Sequence, residues 1–289
     1  MNYQDTVQRI DTLTGTAGND TVKSLVAGWT VQAGGGSADL LDLSKQTGGS
    51  NETGDLLVSL RAGTASKTGV SMAISGFEQV YGGTGNDTFR GDNENNLFDG
   101  KGGVNWADYS QETLIGINAN LATNLVTGYG EDTLVAINNL LGSQRADFVT
   151  LAGAAANNVI DTKDEYDTVT YAGATDKLSI SLASDMATGT STVTSNGSQI
   201  GTDQLIGVEK IVGGGNDDTF YRFSAIDIDG GTQGSKGDTV NYQGDNALTV
   251  NLHSGTATDG TAVTQRLANI ENAFACQEGC RQSAVCRCR

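Results

Sequence analysis

Apolar and polar residues alternate along this chain in short runs of period two, as in Leu178-Ser179-Ile180-Ser181-Leu182 and Leu248-Thr249-Val250-Asn251-Leu252. That period puts every second side chain on one face, so each run is predicted to be a strand with one side buried. Helical periodicity is not evident. The runs are separated by Gly, Asn, Asp and Ser turns and recur without helices between them, which describes a sandwich array or a solenoid.

The runs belong to a longer repeat. An apolar mark recurs at Gly76-Phe77-Glu78, Ala136-Ile137-Asn138, Gly207-Val208-Glu209 and Asn269-Ile270-Glu271, with its central residue advancing by 60, 71 and 62 positions. After the first three marks comes a glycine or polar turn with an acid, Asp87, Asp147 or Asp218, and Asp20 is the equivalent in the opening segment. A second acidic or amide position follows 18 to 20 residues later, at Asp39, Asn105, Asp167 and Asp238. Four residues beyond it stands Leu43, Tyr109, Tyr171 or Tyr242, and a strand phrase then ends at Leu60, Leu121, Leu182 or Leu252. The regular place of the tyrosines just after a turn predicts a core ladder rather than a stacking platform for sugars.

Composition narrows the partners. The formal charge is −17 at pH 7, which repels nucleic acid phosphates and anionic lipid and favours cations. With 37% hydrophobic residues, 6% aromatic and 40 glycines, thin stacked layers are easier to build than a thick core. Proline is absent, so every backbone N–H after the first residue is available to a ladder hydrogen bond. No stretch approaches the length of a membrane span, and Met1 to Ile10 has no basic segment followed by an apolar run.

Residues 82–90 read GGTGNDTFR, a full match to the nonapeptide G-G-x-G-x-D-x-U-x, in which U is a large apolar residue. In this reading Gly82, Gly83 and Gly85 permit positive φ and let carbonyl oxygens converge on a cation, Asp87 adds a charged oxygen, and Phe89 fills the core. Two further nines follow in phase, GDNENNLFD from Gly91 and GKGGVNWAD from Gly100. Turns on one edge come from alternate nines, which places Gly82 to Asp87 beside Gly100, Gly102 and Asn105. On these motifs the chain resembles the RTX, or haemolysin-type calcium-binding, repeat family, and within it the divergent long repeats of large secreted bacterial adhesins. The resemblance implies an all-β fold, a right-handed parallel β-solenoid (β-roll or β-helix) built from four divergent repeats over residues 1–275. It further implies Ca2+ between the turns, type I secretion to the cell surface or medium, and folding on calcium outside the cell.

Other blocks depart from the motif. GTAGNDTVK from Gly15 keeps Asp20 but has Thr16 in place of glycine, and GGGNDDTFY from Gly213 has Asn216, a residue tolerant of positive φ, ahead of Asp218. Gly231 and Asp238 extend that block, and Asp39 extends the first. In GSQRADFVT from Gly142, Arg145 brings a positive charge to the cation's place, which argues against calcium at Asp147.

The reading is therefore a calcium-binding structural or adhesive module, not an enzyme, whose partner beyond calcium is a cell-surface or polysaccharide ligand. The alternative is a non-catalytic accessory region of an extracellular lyase, epimerase, lipase or protease. A β-helical polysaccharide-active enzyme is a third class, for which Asp227 and Asp229 are the candidate carboxylates. Against it, no segment breaks the repeat with a distinctive constellation, and the single histidine, His253, reads as an outward strand residue. All four cysteines lie within residues 276–289, a Cys/Arg tail whose spacing matches no paired C-x-x-C site. The tail interrupts the repeat plan and reads as a frameshift, a truncated frame or a cloning scar outside the fold.

Overall fold

A computed structural model of the chain describes residues 12–45, 52–151, 157–184, 189–243, 245, 248–259 and 263–274. The Cys/Arg tail and the segment Met1 to Ile10 lie outside them. The described residues form 29 strands of three to six residues and no helix, arranged as the mostly parallel sheets of a β-solenoid. The chain divides into two compact units, one of residues Met1–Asp108 and Tyr129–Ile137, the other of Tyr109–Gly128 and Asn138–Arg289.

In the first unit one sheet stacks Leu41 on Val80 and Val80 on Phe98, and Phe98 on Leu134, all in parallel register. The opposite sheet stacks Val58 on Phe89 and Phe89 on Ala107. In the second unit one column runs Ala119, Val149, Val169, Ile211, Ile228 and Leu267, and another runs Ile180, Phe220, Val240 and Ala273. Most strands are three residues long and spend only the middle one on the core, which is why so few apolar residues suffice. Val149, Val169, Ile211, Phe220 and Val240 are fully buried.

The stacking is interrupted in every repeat. The strand phrases that end near Leu60, Leu182 and Leu252 each open an antiparallel meander: Leu57–Ser59 with Thr64–Lys67 and Val70–Ser75, Leu178–Ser181 with Thr190–Ser195 and Thr202–Ile206, and Thr249–Asn251 with Thr256–Thr258 and Thr264–Ala268. In the remaining repeat Asn118–Asn120 pairs antiparallel with Leu125–Gly128. The four-residue hairpin loops 60–63, 121–124 and 252–255 each end on a residue with φ near +60°, Gly63, Asn124 and Gly255, in the left-handed region that suits Gly and Asn. These meanders account for repeats longer than the solenoid coils they contain.

The tyrosines form part of the core, as their spacing predicts: Tyr109, Tyr171 and Tyr242 are all buried. His253 is exposed in the turn after Thr249–Asn251 rather than on the strand.

Candidate metal centre at the acidic corners

The strands Thr21–Lys23, Thr88–Arg90, Phe148–Thr150 and Thr219–Tyr221 are entered through corners with the same local plan. A strand ends, a residue with no room for a side chain follows, and an acid or amide then turns inward just before the next strand. Gly82 and Asp87 are the type case. A Cβ at Gly82 would stand 2.3 Å from Asp87 Oδ2 and 3.1 Å from the carbonyl oxygen of Gly100. Gly15, Gly142 and Gly213 sit in the same way against Asp20, Asp147 and Asp218, at 2.7, 2.2 and 2.7 Å.

This changes the role expected of the motif glycines. Gly82, Gly83 and Gly85 do not have positive φ, and neither does Asn216. They are glycine for space: a Cβ at Gly83 would meet the Glu52 carbonyl oxygen at 2.6 Å, and one at Gly85 the Gly54 carbonyl oxygen at 2.6 Å. Gly102 donates its N–H to the Gly83 carbonyl at 3.0 Å, so the two motif turns lie side by side. The convergence of corners is as the phase of the nines predicts, but close approach of backbones, not a left-handed turn, demands it.

The four first acids are held by the backbone. Asp87 accepts N–H bonds from Leu56 at 2.9 Å on Oδ1 and from Gly83 at 2.7 Å on Oδ2. Asp218 repeats this with Leu178 and Gly214, both at 2.7 Å. Asp147 accepts from Ile117 N–H, Ser143 N–H and the Ser143 hydroxyl at 2.7 to 2.8 Å. Asp20 accepts from the N–H and the hydroxyl of Thr16. Arg145 turns elsewhere, donating to the Thr113 carbonyl at 2.8 Å and reaching Glu165 at 3.3 Å.

Each first acid then donates its own N–H to the side chain at the second position of its pair. Asp20 bonds Asp39 Oδ1 at 2.6 Å, Asp147 bonds Asp167 Oδ1 at 2.7 Å, Asp218 bonds Asp238 Oδ1 at 2.7 Å, and Asp87 bonds Asn105 Oδ1 at 2.9 Å. Three of these ladders gain another rung that sequence reasoning missed: the N–H groups of Asp39, Asp167 and Asp238 donate to Glu78, Glu209 and Glu271, each at 2.8 Å. The signal was present, because each glutamate stands one residue after the centre of a repeat mark.

The second position differs from the first in one respect. There the second residue after the preceding strand is left-handed, with φ of +99°, +59°, +76° and +87° at Gly34, Lys101, Lys163 and Gly231. The N–H groups of Lys101 and Gly231 serve Asp99 and Asp229 instead of the corner. The consequence falls on Asp39, Asp167 and Asp238, all fully buried, whose Oδ2 atoms have no hydrogen-bond partner. Burial pushes Asp167 and Asp238 up to about 7, and the neighbouring charges of Asp147 and Glu209, and of Asp218, Glu271 and Asp217, add to the shift.

Asn105 occupies the equivalent place without that difficulty. Its Nδ2 donates to the carbonyls of Ala136 at 2.9 Å and Gly102 at 3.1 Å. Around Asp238 the geometry is the same except for the atom type: a Cβ at Gly230 would stand 2.5 Å from Asp238 Oδ2 and 2.1 Å from the Asn269 carbonyl oxygen. Asn269 and Ala136 also share a left-handed backbone, with φ of +50° and +52°. Two acceptors thus face the same small space at Asp238, where Asn105 puts a donor. At Asp39 the place of Gly100 and Gly230 is held by Ala33, and the open space lies instead by Gly36, whose Cβ would meet both Asp39 oxygens at 2.9 Å and Asn19 Oδ1, which accepts the Ser37 N–H, at 3.0 Å. At Asp167, Thr162 replaces glycine and its hydroxyl donates to the Gly207 carbonyl at 2.6 Å.

Calcium takes six to eight oxygen ligands, and the corners differ in what they have left to offer. Among the described residues no three His, Cys, Asp or Glu side chains group to hold a metal, so any ligand set must include backbone or amide oxygens. Asp39 and Asp238 fit, each with a bare carboxylate oxygen, a second oxygen close by and space vacated by a glycine. The Asp87 and Asn105 corner does not, because its side-chain atoms already bond the backbone and Asn105 presents hydrogens.

The remaining candidates have structural partners. Asp227 accepts from Tyr166 at 2.6 Å and from Arg266 N–H at 3.0 Å, while Asp229 pairs with Lys210 at 3.2 Å and accepts from Asn269 at 2.7 Å. On the outer face of the second unit Ser181, Tyr221, Arg222, Asn241, Gln243 and Asp245 line an open polar cleft of about 340 Å3. No helix among the described residues is long and apolar enough to cross a membrane. No family model and no curated protein matches the chain.

Proposed function

We propose that the chain is a non-catalytic, calcium-binding structural and adhesive module of a secreted or cell-surface protein. One observation carries the reading: the buried Oδ2 atoms of Asp39 and Asp238 lack partners, and each lies beside a second oxygen in a space that a Cβ would fill. A buried carboxylate left in that condition costs several kcal/mol unless it is neutralised, on the order of the penalty for an unpaired buried charge. A divalent cation supplies the missing charge and bridges the acceptors that otherwise repel.

Asp39 and Asp238 would hold the ion with the Asn19 side-chain oxygen and the Asn269 carbonyl as neighbours. Gly36 and Gly230 keep the space open, and Gly231 turns its N–H away. Calcium bound there couples to folding, because the ladders that orient these atoms exist only in the folded chain. At extracellular calcium the module is ordered; in chelator its like charges oppose the thin core. Adhesion falls to the outer cleft, where Tyr221 offers a ring face and Arg222, Asn241 and Gln243 offer polar groups suited to a polysaccharide. The structural partners of Asp227 and Asp229 disfavour catalysis.

Calorimetric titration of the chain with calcium tests the reading, with circular dichroism melts in calcium and in chelator. The expected result is saturable binding and a higher melting temperature in calcium. No binding heat together with superimposable melts would overturn it.

A further inference from the structure

Asn105 and Asp238 stand at the same place in two repeats, and the surroundings ask the same thing of both. Each receives the N–H of the preceding acid on Oδ1, at 2.9 and 2.7 Å. Each has its other atom beside the carbonyl of a left-handed residue: Asn105 Nδ2 donates to Ala136 at 2.9 Å, and Asp238 Oδ2 and the Asn269 oxygen border the same space, 2.5 and 2.1 Å from where a Gly230 Cβ would stand. A carbonyl oxygen accepts and never donates, so the atom facing it must bring a hydrogen or something positive must stand between them. The orientation of the Asn105 amide follows from the same logic, since Asp87 N–H needs an acceptor and the Ala136 carbonyl a donor.

We propose that the residue at the second position of each pair acts as a one-atom switch between a corner that takes a cation and a corner that closes on itself. Aspartate beside a vacated glycine space, as at Asp39 and Asp238, makes the corner a calcium site. Asparagine, as at Asn105, supplies its own hydrogens and makes the corner metal-free. Thr162 is a third state, in which a hydroxyl occupies the carbonyl and fills the space, so the Asp167 corner takes no calcium either. The block with the full nonapeptide match therefore has a closed corner at Asn105, and the blocks with altered motifs carry the ions. This inference rests on the calcium reading for its cation half, whereas the demand for a donor at this position does not.

The test is a pair of opposite exchanges in the full chain, Asp238→Asn and Asn105→Asp, each close to isosteric. Calcium stoichiometry comes from calorimetry, and melting temperature in chelator reports the corner without metal. Asp238→Asn should lower the stoichiometry by one and melt higher than wild type in chelator, because its amide now donates to the Asn269 carbonyl. Asn105→Asp should raise the stoichiometry by one and melt lower in chelator. Wild-type stoichiometry in both variants overturns the switch while leaving calcium binding intact. A wild type that binds no calcium overturns the function proposed above, and the chelator melts then decide the donor rule alone: unchanged melting in both variants sinks it. Should one variant fail to give the strand signal even in saturating calcium, the other still decides, since the two shifts are of opposite sign.

Discussion

Asp87 with Asn105 in the first unit and Asp218 with Asp238 in the second are built from nearly the same parts. Both first acids accept two backbone N–H groups and pass their own N–H to the next corner. The pairs part at the last atom, where one ends in an amide bonded to a carbonyl and the other in a buried carboxylate oxygen bonded to nothing. The lesson is that an acidic corner has two separable functions. The first acid ties coil to coil whether or not a cation is present, and only the second decides whether a cation is wanted.

The sharpest way to break this comparison is to remove the first acid from each pair. Asp87→Ala strands the N–H groups of Leu56 and Gly83, and Asp218→Ala those of Leu178 and Gly214. At about 1–3 kcal/mol for each buried donor left unpaired, both substitutions should cost about 2–6 kcal/mol in urea denaturation. The loss should be the same in calcium and in chelator. If either variant loses more stability in calcium than in chelator, the first acid is a metal ligand after all and the division of labour fails.

The second expectation concerns pH and separates the pairs, since Asn105 does not titrate. Burial lifts Asp238 and Asp167 to about 7 from an ordinary 3.8. The folded chain then binds protons more tightly than the unfolded one, so stability is greatest below the unfolded value and is lost as pH rises through about 7. Melting temperature in chelator should fall between pH 5 and pH 8. Asp238→Asn should flatten part of that slope, and saturating calcium should flatten it further by offering Asp238 another positive partner. A melting temperature that rises over this range would contradict the burial of unpaired carboxylates.

A smaller effect comes from a corner that closes in another way. Asp203 receives the Asn158 N–H at 2.9 Å on Oδ1 and the Tyr171 hydroxyl at 3.0 Å on Oδ2, which spares it the condition of Asp238. Tyr171→Phe keeps the ring in the core and withdraws the hydrogen. The expected cost is about 1–3 kcal/mol by chemical denaturation, and Asp203, already raised to about 6 by burial, should move higher in a pH titration followed by NMR. An unchanged Asp203 titration would mean that the tyrosine is only a packing residue.

Much of this architecture is written in local pattern. The alternation at Leu178 to Leu182 fixes which side chains are buried, and the constant spacing from Asp218 to Asp238 brings two corners together because one coil returns the chain to the same edge. Alternation cannot tell a parallel neighbour from an antiparallel one, so the meanders stayed hidden in the repeat length. Glycine is ambiguous in the same way: a residue chosen for space at Gly82 looks identical to one chosen for positive φ at Gly231. Least legible was the bare oxygen of Asp238, which shares the space at Gly230 with a carbonyl from Asn269, 31 residues further on.

Arg145 is the place where charge read along the chain and charge placed in space diverge most, and it provides the gentlest test. In sequence it stands at a motif glycine and argues against a cation near Asp147. In space its guanidinium is half-exposed, bonds the Thr113 carbonyl and pairs with exposed Glu165, while Ser143 satisfies the Asp147 carboxylate. Removing the charge with Arg145→Gln should therefore change stability by no more than about 0.5–1 kcal/mol, the usual scale for a solvent-screened pair. It should also leave calcium stoichiometry where it was, because both Asp147 oxygens already accept hydrogen bonds, from Ile117 N–H, Ser143 N–H and the Ser143 hydroxyl. A gain of one calcium in this variant would mean that long-range repulsion, and not the bonding of the corner atoms, decides occupancy.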